Sequence, residues 1–310
     1  MGGLEVLRFL GFIWAIAVAI GAVYLFPPRG IWGYATLVVF AVTPIVALTV
    51  ARYRVAFAVT VDNVYMVAGY LALTFIVFEF CVIALLFRVL LPYLSDLVYT
   101  IAVFSALVLV GVLNEDLPIY QLAVFESEGN ILAVTRGLAV GSMLYLLVSA
   151  IIGALGLNYS TDLSVGYLDS RLLSLVSQFE GVVGVFLLMV FFVAIPEELL
   201  SRVFYLNVGS SVITAPVASV VMITTWYSLH AVTRYFLPYG SLVLFIITFG
   251  GLVITLSYML YGFISAVFTH ATYNTLIILS EDFGSAMLVV AVVLILINFL
   301  VARARGVRAL

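Results

Sequence analysis

The chain has 310 residues, 66% of them hydrophobic and 9% charged, with a formal net charge of −3 and a mean hydropathy of +1.32. Soluble domains carry about 45–50% apolar and about 25% charged residues, so a soluble globular protein is excluded and a polytopic membrane protein is expected. The thin, slightly acidic charge, with arginine as the only basic side chain besides histidine, argues against nucleic acid as a partner.

A spanning helix needs about 20 apolar residues. On that measure the sequence predicts an all-α membrane helix bundle of about ten spans. They lie near residues 5–26, 31–51, 64–87, 97–113, 131–155, 180–207, 213–236, 241–260, 262–280 and 285–302. The first begins after Arg8 and resembles a signal peptide. It is followed by Pro27-Pro28-Arg29-Gly30 instead of a small-x-small site, so it reads as a retained span. Arg52-Tyr53-Arg54 closes the second, and Pro92 to Asp96 separates the third from the fourth. Asn114 to Asn130 forms an acidic loop, and Leu157 to Gln178 the longest polar connection. The lone cysteine, Cys81, falls in an apolar run and reads as a buried structural thiol.

Arginine placement sets the expected orientation. Arg8, Arg52, Arg54, Arg136, Arg202 and the tail Arg303, Arg305 and Arg308 fall on one side, and Arg29, Arg88 and Arg234 on the other. By the positive-inside rule both termini are cytoplasmic and the protein sits in the cell membrane. No internal repeat points to a transporter built from inverted halves. The polar loading divides the chain into N-terminal spans (1–178), a polar core (179–282) and a last span with a basic tail (283–310).

That core holds the residues with chemistry. Ile195-Pro196-Glu197-Glu198-Leu199-Leu200-Ser201-Arg202 ends a long apolar run. An ionised side chain in hydrocarbon costs roughly 2.5–3.5 kcal/mol on insertion scales unless paired or wet. Both histidines of the chain, His230 and His270, also fall in predicted spans. At about 1.5 Å per residue, Glu197, His230 and His270 stand roughly 15, 21 and 12 Å from turns on one side. They therefore lie at comparable depth, lining a polar intramembrane cavity. His270 and Asn274 share a helix face, and Glu198 and Arg202 have the same spacing and can pair. Glu197 is rotated roughly 100° from Glu198. Pro196 removes a donor and favours a kink just before the carboxylates.

Hydrolysis is the chemistry that fits. A desolvated carboxylate has a raised pKa and suits a general base, so Glu197 would deprotonate water and His230 orient it. His270 and Asn274 would donate to the developing oxyanion. A bare site without a cofactor is preferred. Zinc held by Glu197, His230 and His270 is the open alternative, although His-Glu-x-x-His is absent.

Glu197-Glu198-x-x-x-Arg202, then Trp226-x-x-x-His230, then His270-x-x-x-Asn274 resembles the type II CAAX prenyl endopeptidase and bacteriocin-processing family, the CPBP or ABI-type intramembrane proteases. The resemblance covers about residues 180–280. It implies an endopeptidase with a cytoplasm-facing cavity, in which Glu197 and His230 activate water and His270 and Asn274 stabilise the oxyanion. Glu198 and Arg202 would support the site. Trp226 stands where the second motif usually carries phenylalanine. The implied partners are lipid and a membrane-tethered or prenylated peptide, with substrate identity and oligomeric state open.

Other readings stay in view. Buried Glu, Arg and His also mark ion paths, so a proton- or ion-coupled transporter is the main alternative, alongside a non-catalytic immunity or scaffold protein. Gly209-Ser210-Ser211-Val212 with His270 offers a short rhomboid-like match, but it falls at a helix end and reads as a turn.

Overall fold

The computed structural model describes residues 3–53, 64–86, 130–157 and 181–310. The predicted span near 97–113, the loop from Asn114 to Gly129, residues 158–178, Arg54, Arg88 and the side chain of Cys81 lie outside them. Among the described residues all regular structure is helical, and eight helices are long and apolar enough to cross a membrane. They correspond to the first, second and fifth to tenth predicted spans. The third is helical over Val64–Leu86. The protein is thus a polytopic, all-helical membrane protein, and the expected ten spans become eight within the described residues.

The chain folds as two compact units. The first unit comprises Met1–Ala123, Leu199–Phe236 and Gly240–Leu252. It contains α1 (Gly3–Leu25), α2 (Gly30–Tyr53), α3 (Val64–Leu86) and α8 (Ala215–Arg234), with α8 at its centre, packed on the other three. Pro216 opens α8, where its missing N–H costs nothing. The middle of α8 is buried from Val221 to Ser228, whereas α1 turns Phe9, Ile13, Ile16 and Ile20 outward, as a lipid-facing helix does. Two tyrosines of the α8 end hold the α1–α2 turn. Tyr227 donates to the Phe26 carbonyl at 2.7 Å and Tyr235 to the Pro27 carbonyl at 2.8 Å.

The second unit comprises Val124–Glu198, Leu237–Tyr239 and Val253–Leu310. Its helices are α4 (Asn130–Ala154), α10 (Phe263–Phe283) and α11 (Ala286–Ala304). It also takes the second half of α9 (Gly240–Tyr261), whose first half belongs to the other unit. α10 carries His270 and Asn274, and two glycines of α4 seat it. A Cβ at Gly137 would stand 2.6 Å from the Ser265 carbonyl, and one at Gly141 would meet the Thr269 carbonyl. This Gly137-x-x-x-Gly141 pair brings the two backbones together, as small residues do in membrane helix packing. α10 is also tied to α9, by the Ser257 hydroxyl, which lies 2.9 Å from that of Ser265 and 2.8 Å from that of Thr269. Gly262, at φ 93°, makes the turn from α9 into α10, a conformation costly for other residues.

The motif stretch itself is a run of alternating helix types. α5 (Gly181–Leu188) leads into π1 (Met189–Ala194), the short α6 (Ile195–Glu198), π2 (Leu199–Val208) and α7 (Gly209–Val212). The predicted end near Asn207 is therefore extended to Val212. Gly209 is buried in this helical run, where a Cβ would stand 2.7 Å from the Tyr70 hydroxyl. The Gly-Ser-Ser stretch is accordingly helix and not a loop, and Ser210 donates to the Leu206 carbonyl within it.

Candidate active site

Pro196 explains the backbone on which the carboxylates sit. A proline inside an α-helix lacks an N–H and its ring crowds the carbonyl four residues back. Here the preceding turn is widened, with the Ile195 N–H reaching back five residues to the Val190 carbonyl. Such π turns are rare and recur at functional sites. The wide turn packs Met189, Val190 and Ala194 on Val267 and Ala271 of α10, bringing the carboxylates up to His270.

In the second unit three titratable side chains meet. His270 Nδ1 lies 2.8 Å from Glu198 Oε1, and His270 Nε2 lies 3.7 Å from Glu197 Oε2. An ionised carboxylate only accepts, so Nδ1–H donates to Glu198. That bond fixes the ring's orientation, as a carboxylate behind a histidine does in many sites. The separation from Glu197 is longer than a direct hydrogen bond and within ion-pair distance. Glu198 is fully buried and the His270 side chain 5% exposed, whereas the Glu197 side chain keeps 16%. Glu197 is thus the more accessible carboxylate. Asn274 lies one turn beyond His270 on α10 and is half-buried.

The first unit holds the other candidates. Arg202, fully buried, stacks its guanidinium 4.3 Å from the Trp226 ring and donates from Nη2 to the Gly251 carbonyl at 2.7 Å. It is therefore no flanking charge, and it drops out of the arginine count used for orientation. The Trp226 indole N–H donates to the Ile247 carbonyl at 3.1 Å, and its ring lies 4.7 Å from that of His230. His230 Nδ1 is 2.8 Å from the Trp226 carbonyl. A carbonyl only accepts, so Nδ1 carries the proton and, in the neutral ring, Nε2 carries the lone pair. His230 therefore presents an acceptor, the form required of a group that takes or orients a water proton.

Sequence spacing assigned Glu198 to Arg202 as a brace. The geometry adds a tie that spacing did not suggest, from Glu198 to His270, 72 residues away. Gly251, Ile247 and the Gly137/Gly141 seat were also missed, because their roles arise from helix packing.

The donors also bear on zinc. An open zinc site takes three protein ligands. Glu197 Oε2 and His270 Nε2 supply two in one unit, and among the described residues no group of three His, Cys, Asp or Glu is gathered to hold a metal.

One comparison with known proteins falls on the same stretch. Neither a curated protein nor a solved structure matches the chain. A family model does. The buried cluster of His270 with Glu198 and Glu197 is consistent with a catalytic pair, and it lies within the matched segment. Residues 179–276 form a region matching the family described as type II CAAX prenyl endopeptidase, Rce1-like.

Proposed function

We propose that the protein is an intramembrane endopeptidase that hydrolyses a peptide bond of a membrane-tethered substrate by a glutamate-activated water. The observation that carries the reading is the His270 ring, bonded at Nδ1 to Glu198 and turned at Nε2 towards the more accessible Glu197. Residues 179–282 are the catalytic core in this reading, opening to the cytoplasmic side with both termini.

Glu197 takes a proton from water as the water oxygen bonds to the scissile carbonyl carbon. His230 Nε2 accepts the other water hydrogen and aims the lone pair. The carbonyl electrons move onto oxygen, and Asn274 donates to that oxyanion, joined by His270 Nε2–H when the ring carries a proton on both nitrogens. Collapse breaks the C–N bond, and the proton held by Glu197 passes to the leaving amine. Glu198 keeps His270 in its donor orientation, and Arg202 and Trp226 hold His230. A zinc ion, when bound, supplies Lewis acidity and a more acidic water. Glu197 and His270 would supply two ligands, short of the three that an open zinc site takes, among the described residues.

The test is cleavage of a membrane-tethered peptide, with and without a prenyl group, by protein reconstituted in liposomes. Glu197→Gln is expected to lose roughly 10²–10⁴-fold in rate, the usual worth of a general base, with an unaltered melting temperature. Full cleavage by that variant would exclude the glutamate base. Loss of activity on chelation, with return on added zinc, would put a metal in place of the bare water. Ion flux without cleavage would favour the transporter.

A further inference from the structure

We propose that Gly251 is a positioning residue for His230, acting through the indole of Trp226. The inference rests on the endopeptidase reading only where it predicts rates. Gly251 lies inside α9 and is absent from the glycines with positive φ, so its backbone would accept an alanine. In a helix interior alanine is ordinarily the better residue. What forbids it here is space.

A Cβ on Gly251 would lie 2.8 Å from Trp226 Nε1 and 3.0 Å from its Cδ1, closer than real Cβ atoms approach a ring. The indole has little freedom to move away. Its N–H is bonded to the Ile247 carbonyl, one turn earlier on the same helix, and its ring carries the Arg202 guanidinium. The Gly251 carbonyl accepts from that same guanidinium. One glycine therefore admits the indole edge with its missing side chain and fixes the cation on the ring with its oxygen.

His230 depends on this seat twice. Its ring packs on the indole, and its Nδ1–H bonds to the carbonyl of the same tryptophan. Displacing the indole removes the surface that holds the imidazole in the tautomer with Nε2 as acceptor. Phenylalanine at 226 has no pyrrole edge, so it does not need the glycine. The site thus uses a larger aromatic and a matching absence of side chain opposite it.

Two measurements test this. In ¹⁵N-histidine-labelled protein carrying His270→Gln, His230 is the only imidazole. Its spectrum is expected to show Nδ1 protonated and Nε2 bare, and Gly251→Ala is expected to mix the tautomers. An unchanged spectrum in Gly251→Ala overturns the proposal. The second measurement is a rate cycle in the full chain. Gly251→Ala is expected to lose at least about tenfold in kcat with KM little altered, as for an interaction made at the reacting centre. The double variant Gly251→Ala/Trp226→Phe should be no slower than Trp226→Phe alone, because coupled sites are non-additive. Losses that multiply overturn it. If Gly251→Ala alone fails to fold, recovery of folding in the Trp226→Phe background supports the same coupling, and failure there overturns it. If the wild-type chain cleaves nothing, the endopeptidase reading falls while the spectrum still decides the seat.

Discussion

His270 is wedged between two carboxylates, whereas His230 is held by a backbone carbonyl and an indole face. In the second unit the partners of the histidine can themselves gain or lose a proton. In the first unit the carbonyl and the indole cannot. Arg202, in the same unit, also stacks on a π face and donates to a carbonyl. The difference separates proton traffic from placement. In the proposed reaction the carboxylate–histidine cluster of α6 and α10 is set apart from the ring and carbonyl contacts that seat His230 around α8 and α9.

The contrast predicts unequal responses to nearly isosteric changes. The largest after that of Glu197→Gln is expected for Glu198→Gln, which keeps an acceptor but removes the carboxylate behind His270. A lost orienting partner of this kind typically costs 10–100-fold, so kcat should fall by about that factor while the melting temperature holds. A variant that unfolds instead would make Glu198 a packing residue and erase the distinction. Arg202→Lys should act the other way. Lysine keeps the charge but loses the flat guanidinium that covers Trp226, and the lost cation–π contact is worth about 0.5–2 kcal/mol. Thermal unfolding in detergent should show a lower midpoint, and activity should fall with it and not before it.

The smallest effect is expected at the α1–α2 turn. Burial raises the Tyr235 phenol above the usual tyrosine range, with the nearby Arg29 cation pulling back. Its hydroxyl therefore remains a donor to the Pro27 carbonyl at physiological pH. Tyr235→Phe should cost about 0.5–1.5 kcal/mol, the net worth of one hydrogen bond, measured as a shift in unfolding midpoint. A large loss of catalysis there would extend the active region into a turn assigned here to support.

The sequence made the costly features legible and the inexpensive ones invisible. Glu197, His230 and His270 stood out because ionisable groups in apolar runs demand partners. The spans were readable from the length of their apolar runs. Glu198's partner was not readable, because it depends on which helix packs against the carboxylates across 72 residues of chain. Gly137, Gly141 and Gly251 carry no charge and interrupt no pattern, so hydropathy treats them like any other small residue. Arg202 looked like a flanking charge by sequence position, but its burial makes it part of the interior.

The π turns on either side of Glu197 and Glu198 have a further consequence. A helix is a screw, and each α-helical residue advances its phase by about 100°. The widened turn at Met189–Ala194 resets that phase between the apolar thread of α5 and the carboxylates. Winding the same residues as an unbroken α-helix would leave hydropathy and motif untouched, yet turn Glu198 by roughly 100° relative to α5 and away from His270. The reading frame of this site is therefore set by angle as well as by spelling.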